Sequence, residues 1–495
     1  MASFYQQLST IFEKLWHIEH ILSISRWDEA VMMPSGSGLS RAKALASVES
    51  LHHSLLTDPQ IADLIKGVEQ ESLSDWQAAN VEWMRHQYLN ACAVPAELVE
   101  ERTRTTMACE QAWRRLRTEN NWQDFAPHLE KTFKIIETHT RMRTDAIGKH
   151  KNCYDTLLDD YSPGMSAATI SPIFSELKTA LIPVLQRIIN APSTRPPTAL
   201  DGPFDIKIQQ QVCASISRSL GFDFNHGRLD ISDHPFCGGT PTDVRMTTRY
   251  HSNECISAIM GVCHETGHAL YEQHLPKEWI SQPVGRALGM TVHESQSLII
   301  EMQACRSYPF MQLLAQLLNQ HFTEHPPFTA DDLYQRITQV TPGKIRVDAD
   351  DVTYPLHIML RYELESALFS HQIGIRDLPA LWDEKMQAYL NVNTKGDYTN
   401  GVMQDVHWAA GLFGYFPAYT LGRLTAAQLY HHWRLAAPGL EHSFAAGNFQ
   451  PLIEWLNCHI YSKASSLDYQ NLLSKATGHP LSAAYYLRDI QHRYD

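Results

Sequence analysis

The chain has 495 residues, 44% hydrophobic and 19% charged, which is globular composition with enough apolar residues for a large core and excludes a disordered chain. A net charge of −13 excludes nucleic acid and anionic membrane as main partners. The opening Met-Ala-Ser-Phe-Tyr-Gln-Gln has no basic segment leading an apolar run, no run of about eighteen apolar residues occurs, and the nine cysteines form no C-x-x-C pair, so a cytoplasmic protein with reduced thiols is expected.

Phe4, Leu8, Phe12, Leu15, Ile18, Ile21 and Leu22 recur at helical spacing over 3–26, and further helices are predicted near 40–56, 74–91, 95–118, 123–149 and 165–191. Residues 27–34 read as a turn with Trp27 as an aromatic plug, ending the first hairpin at Pro34. The proline-rich stretch near 191–203 has a linker's composition. Helical patterns resume on both sides of it, so it is read as an internal loop of a single domain, 1–495. Over 203–250 the composition shifts: 233–239 reads as a turn and 243–250 as a short strand, the main β element.

Residues 255–275 contain one complete H-E-x-x-H, His264-Glu265-Thr-Gly-His268, framed by Ile256, Ile259, Met260, Val262, Ala269 and Leu270. On a helix, residues four apart share a face, so both imidazoles can reach one cation while Glu265 stands beside them as a general base for water. Gly267 costs about 1 kcal/mol of helix propensity relative to Ala, which predicts close packing there against another element or a substrate. A catalytic zinc needs a third protein ligand. Downstream candidates are Glu272, Glu278, Glu294 and Glu301. Glu294, opening a new helical run after Gly285–Gly289, is favoured, with Glu301 as an outer partner.

Helices are predicted again at 328–341, 351–370, 376–391 and 422–437, with two or three more over 447–492. By spacing alone, Arg346 is a surface residue and Asp350 or Asp351 a helix cap. Gln404, Asp405, His407 and Trp408 cluster in 401–408, as a cleft lining or a structural network. Tyr415 and Tyr419 are candidate oxyanion donors.

In order, His234-Pro-Phe236, Asp243-Val-Arg245-Met-Thr247, His264-Glu265-Thr-Gly-His268, His293-Glu294-Ser-Gln296, Ile345-Arg346-Val-Asp-Ala-Asp350 and Gly401-Val-Met-Gln404-Asp405-Val-His407-Trp408 resemble the carboxypeptidase Taq family of zinc metallocarboxypeptidases. The resemblance covers nearly the whole chain. It implies a mainly α, elongated, neurolysin-like subunit, with two helical lobes flanking a deep central groove and a small sheet beside the active site, assembled as a homodimer. It implies one zinc on His264, His268 and Glu294, with Glu265 as general base; by their chemistry the same ligands can also take Co2+ or Mn2+. It also implies Arg346 as anchor for the free C-terminus of a peptide substrate, and His234, Asp243, Arg245, His293, Gln404, His407, Tyr415 and Tyr419 as further substrate-site residues. One departure is visible: Leu298-Ile299-Ile300 stands where the family often has Arg and an aromatic. The expected activity is removal of single C-terminal residues. An endo-oligopeptidase or dipeptidyl carboxypeptidase on the same scaffold is the first alternative, and a catalytically silent peptide-binding protein the second.

Overall fold

The computed structural model of the chain describes residues 2–191, 200 and 202–494, so most of the predicted loop near 191–203 lies outside the described residues. The expected mainly α fold is observed. Its helices are α1 (Phe4–Val31), α2 (Gly38–Leu56), α3 (Pro59–Val68), α4 (Asp75–Cys92), α5 (Ala96–Thr118), α6 (Trp122–Ile147), α7 (Cys153–Tyr161), α8 (Ala167–Asn190) and α9 (Ile206–Leu220). Three strands follow, β1 (Gly227–Ile231), β2 (Phe236–Thr240) and β3 (Asp243–Thr248). Then come α10 (Ile256–Gln273), α11 (Gly289–Leu298), α12 (Tyr308–His321), α13 (Ala330–Ile337), α14 (Tyr354–Phe369), α15 (Leu378–Leu390), α16 (Pro417–Ala436), α17 (Gln450–His459), α18 (Tyr469–Thr477) and α19 (Ala484–Tyr494).

Helix starts follow local chemistry. Ser3 and Gln6 cap α1 reciprocally, side chain to backbone in both directions, and Ser74 and Gln77 do the same for α4. The turn expected at 27–34 is corrected: α1 runs on to Val31, and only the residues after it turn. The reason is tertiary. Trp27 is buried beside the sheet, with the guanidinium carbons of Arg245 and Arg228 at 4.3 and 5.0 Å from its ring centroid, and that contact holds the last helical turn in place. Helices α3, α7, α9 and α12 were not expected from the sequence.

The sheet has order β1-β3-β2, with β1 parallel and β2 antiparallel to β3. The expected strand at 243–250 is β3, whereas β1 was not anticipated and β2 occupies part of the predicted turn at 233–239. Gly238 and Gly239 look like turn residues, but Gly239 sits in the strand at φ +93°, where a Cβ would lie 2.1 Å from the Asp243 carbonyl oxygen.

Leu8, Phe12, Leu15, Ile61, Leu64, Ile65, Val68, Val81 and Met84 form a small core under α1, α3 and α4, separate from the main core. By length and composition α8 is apolar enough to cross a membrane; it buries Ile170, Phe174, Leu177, Leu181 and Leu185 within the main core. At the centre, α11 lies between α10 and α16 at glycine contacts. A Cβ on Gly267 would fall 2.4 Å from the Gln296 carbonyl oxygen, and one on Gly422 would fall 2.9 Å from Cβ and Cγ of Glu294. The close packing predicted at Gly267 is therefore against α11. After Leu298 the helix widens into a π-turn, Ile299–Ala304, in which Ile299 and Ile300 are fully buried.

Candidate active site

His264 and His268 stand one turn apart on α10, with ring centroids 5.0 Å apart, and Glu294 reaches them from α11. Glu294 Oε2 lies 3.5 Å from His268 Nε2 and 3.9 Å from His264 Nε2. One donor atom from each of the three residues lies within 4.8 Å of the others, a spacing that fits a metal ion, and two imidazoles with one carboxylate are a donor set suited to zinc. Of the four carboxylates considered from sequence, Glu294 faces both Nε2 atoms. Glu301 accepts from His264 Nδ1 at 2.9 Å, Glu272 contacts His293 Nε2 at 2.9 Å, and Glu278 is exposed.

The charges around this cluster are mostly negative. Burial pushes the Glu265 carboxyl up to about 7; His264 opposes that shift while Glu294 and Glu301 add to it. Burial alone would lower His264, but Glu294 and Glu301 outweigh it and raise the imidazole to about 10. His268 is lowered to about 4, chiefly by burial. Arg306 answers one carboxylate, binding Glu301 at 3.1 Å. A divalent cation would take the place of the positive charge that Glu294 and Glu301 otherwise draw onto His264.

A second cluster is built from α14 and two loops. Arg346, in a short 3-10 turn, is 5% exposed, so the surface position its spacing suggested is corrected. Its Nε and Nη2 donate to Asp405 Oδ1 at 3.1 and 2.8 Å, and its Nη1 donates to the Tyr354 hydroxyl at 2.7 Å. With five N–H groups on a guanidinium, those three bonds leave one N–H on each terminal nitrogen. Gln404 positions this turn, accepting from the Arg346 backbone N–H and donating to the carbonyls of Lys344 and Asn400, each at 2.8 Å. From the other side Arg361, fully buried, donates to Asp405 Oδ2 through Nε and Nη2 at 2.8 and 2.6 Å. Two buried guanidinium groups thus share one carboxylate, which they hold well below the usual range. Glu365, one turn beyond Arg361, accepts from Trp408, Gly414 N–H and Tyr154. Burial pushes its carboxyl up to about 7, against the three donors and the Arg361 charge, which lower it; Asp405 is the carboxylate that Arg346 and Arg361 both bind.

Tyr354, Tyr415 and Tyr419 lie between the two clusters. Burial raises all three phenols, Tyr354 to about 12, and the Glu294 carboxylate contributes in each case, so the hydroxyls stay protonated. His407 Nε2 is 3.3 Å from the Tyr419 hydroxyl, and burial lowers this imidazole to about 4.

Three other candidates, His234, Asp243 and Arg245, lie elsewhere. The His234 side chain is exposed, and its backbone carbonyl accepts from Ser232 Oγ. Asp243 and Arg245 pair with each other at 2.9 and 2.7 Å, and the Arg245 guanidinium lies over the Trp27 ring. His293 turns to His268. Asp350 is a cap, accepting from the N–H groups of Val352 and Thr353, while Asp351 is buried between Arg423 and Arg493. Sequence reasoning missed Arg361, Tyr354, Arg306 and Gly422. Arg361 had a signal: His357, Arg361 and Glu365 recur every four residues, a polar stripe along the otherwise apolar α14.

The family model of the Carboxypeptidase Taq (M32) metallopeptidases matches residues 7–494. The chain belongs to the carboxypeptidase Taq family. A relative named thermostable carboxypeptidase 1, from Thermus thermophilus, is 37% identical over 99% of this chain and 98% of its own length. Among solved structures, metallocarboxypeptidase 1 of Trypanosoma cruzi superimposes with a TM-score of 0.95 at 37% identity, covering 99% of both chains. The M32 carboxypeptidase of Deinococcus radiodurans does so at 0.94 and 31% identity, covering 99% of this chain and 98% of that one. Membership makes this chain a metallopeptidase, so the cluster on α10 and α11 is the natural place for its metal.

Proposed function

We propose that this protein is a zinc carboxypeptidase that removes single C-terminal residues from peptides, acting as one domain with the metal held by His264, His268 and Glu294. The observation that carries the reading is the deficit of negative charge at Arg346, Arg361 and Asp405. A buried cation pair in which Arg346 keeps two unused N–H groups calls for a carboxylate, to which a guanidinium fork donates two parallel bonds. A peptide's free C-terminus is that carboxylate. An endopeptidase would have no use for such an anchor.

When bound, zinc supplies a Lewis acid that polarises the scissile carbonyl and acidifies water. Glu265, whose carboxyl burial lifts to about 7, takes the proton of the attacking water and hands it to the departing amine. The Tyr415 and Tyr419 hydroxyls, kept protonated, donate to the oxyanion, with His407 orienting Tyr419. Arg346 fixes which bond is cut. The same reading takes a homodimer from the family resemblance. It takes a reducing, cytoplasmic compartment from nine cysteines that are all free.

The test is a digest of an N-terminally blocked peptide followed by mass spectrometry, with Arg346→Ala beside wild type. Single-residue ladders from the C-terminus, abolished by a chelator, are expected. Arg346→Ala should lose about 10²-fold or more in kcat/KM on free acids, and far less on C-terminal amides. Internal cleavage, release of dipeptides, or equal losses on both substrates would overturn the reading.

A further inference from the structure

We propose that His293 and Glu272 are positioning residues for the metal, a relay that fixes the tautomer and aim of His268, and not substrate contacts. This rests on the metal site proposed above and adds two residues to it. His293 and Glu294 are consecutive on α11, yet they hold opposite sides of one imidazole. Glu294 Oε2 lies 3.5 Å from His268 Nε2, while His293 Nδ1 lies 2.6 Å from His268 Nδ1.

One arrangement of protons satisfies every contact. With Nε2 facing the cluster as the ligand atom, His268 must carry its proton on Nδ1, and it donates that N–H to His293 Nδ1. His293, accepting at Nδ1, then carries its proton on Nε2 and donates to Glu272 Oε1 at 2.9 Å. The chain of donors thus runs from ligand to imidazole to carboxylate. It ends at the wall of a cleft of about 420 Å³ that Glu19, His20, Asp160 and Arg286 also line. Tyr271 packs against His293 at 5.5 Å between ring centroids, and its hydroxyl accepts from Leu288 N–H, bracing α11 at its start. His264 is served differently: its Nδ1 meets a carboxylate directly, Glu301, which Arg306 holds. The two ligands therefore have outer partners of different kinds, and His268 depends on a residue whose loss removes both an acceptor and the link to Glu272.

The test measures zinc affinity of the full chain by competition with a chromogenic chelator, with kcat and KM on the same preparations. His293→Ala is expected to bind zinc about 10- to 100-fold more weakly with KM unchanged, and Glu272→Gln to weaken it by a smaller factor. His293→Gln is expected to rescue, because its amide keeps one acceptor for His268 and one donor for Glu272. Should His293→Ala fold poorly, Glu272→Gln, at a partly exposed position, decides together with His293→Gln. Wild-type affinity in His293→Ala or in Glu272→Gln, or a raised KM alone, would overturn the relay. His264→Ala is the control: if wild type holds zinc no better than it does, the functional reading falls and the relay with it, whereas a difference there with none at His293 sinks the relay only.

Discussion

The metal cluster and the anchor cluster are both buried, polar and built on helices, yet they are put together in opposite ways. In the first, two of three donors come from one turn of α10 and the third from the helix packed on it at Gly267. Its carboxylates, Glu265, Glu294 and Glu301, crowd the histidines and draw positive charge toward them. In the second, Arg346, Arg361 and Asp405 come from three separate segments, and the charge is positive in excess. An enzyme that cuts next to a free carboxylate needs both, one to receive a cation and one to receive an anion, with a tyrosine layer between them.

The sharpest way to separate the two is to disable one chemistry at a time. Glu265→Gln removes the base and leaves every donor of the metal cluster in place. Turnover is expected to fall by about a thousandfold, with zinc content measured by elemental analysis unchanged. Activity within tenfold of wild type would remove Glu265 from its role. Asp405→Asn strikes the other cluster, leaving two buried guanidinium groups without their shared anion. It is expected to cost about 3 to 5 kcal/mol in denaturant unfolding and to shift KM for free-acid peptides, while zinc affinity stays near wild type. Loss of zinc binding in that variant would mean the two clusters are not separable.

The smallest effect comes from a third buried group that serves neither. Burial alone would raise the Asp351 carboxyl, but Arg423 and Arg493 outweigh it and hold the group down to about 2. Because the folded value lies below the unfolded one, the stabilisation is present above about pH 4 and lost as pH falls toward 2, an amount of about 2 kcal/mol. Melting curves of wild type between pH 5 and pH 2.5 should show that loss, and Asp351→Asn, weaker throughout, should show a flatter slope. Since Arg493 sits on α19 and also donates to the Met302 carbonyl in the π-turn, this cluster ties the chain's last helix to the segment carrying Glu301.

The two clusters also differ in how much of them could be read before folding. His264, Glu265 and His268 are legible because ligand geometry and helix period coincide over five residues. Glu294 was favoured on local pattern, but only packing brings it to both Nε2 atoms. Arg346 reads as surface by spacing, since a charge in a loop before an acidic first turn is usually solvated. It is buried because α14 and the 401–408 segment close over it with Arg361 and Asp405. The family resemblance places His293 among the substrate-site residues, and nothing in its sequence neighbourhood shows the contact with His268 that packing of α11 on α10 brings about.

By itself, then, the order of residues determined the helical class, the caps, the strand at 243–248 and the pairing of the two histidines, all of which follow from interactions within a few residues. The tertiary structure alone decided that Trp27 continues a helix, that Phe236–Thr240 is a strand, which carboxylate faces the histidines and where the buried charge is left unbalanced. Those outcomes depend on burial and on partners tens to hundreds of residues away, and a residue's neighbours in sequence carry no record of which water it will lose.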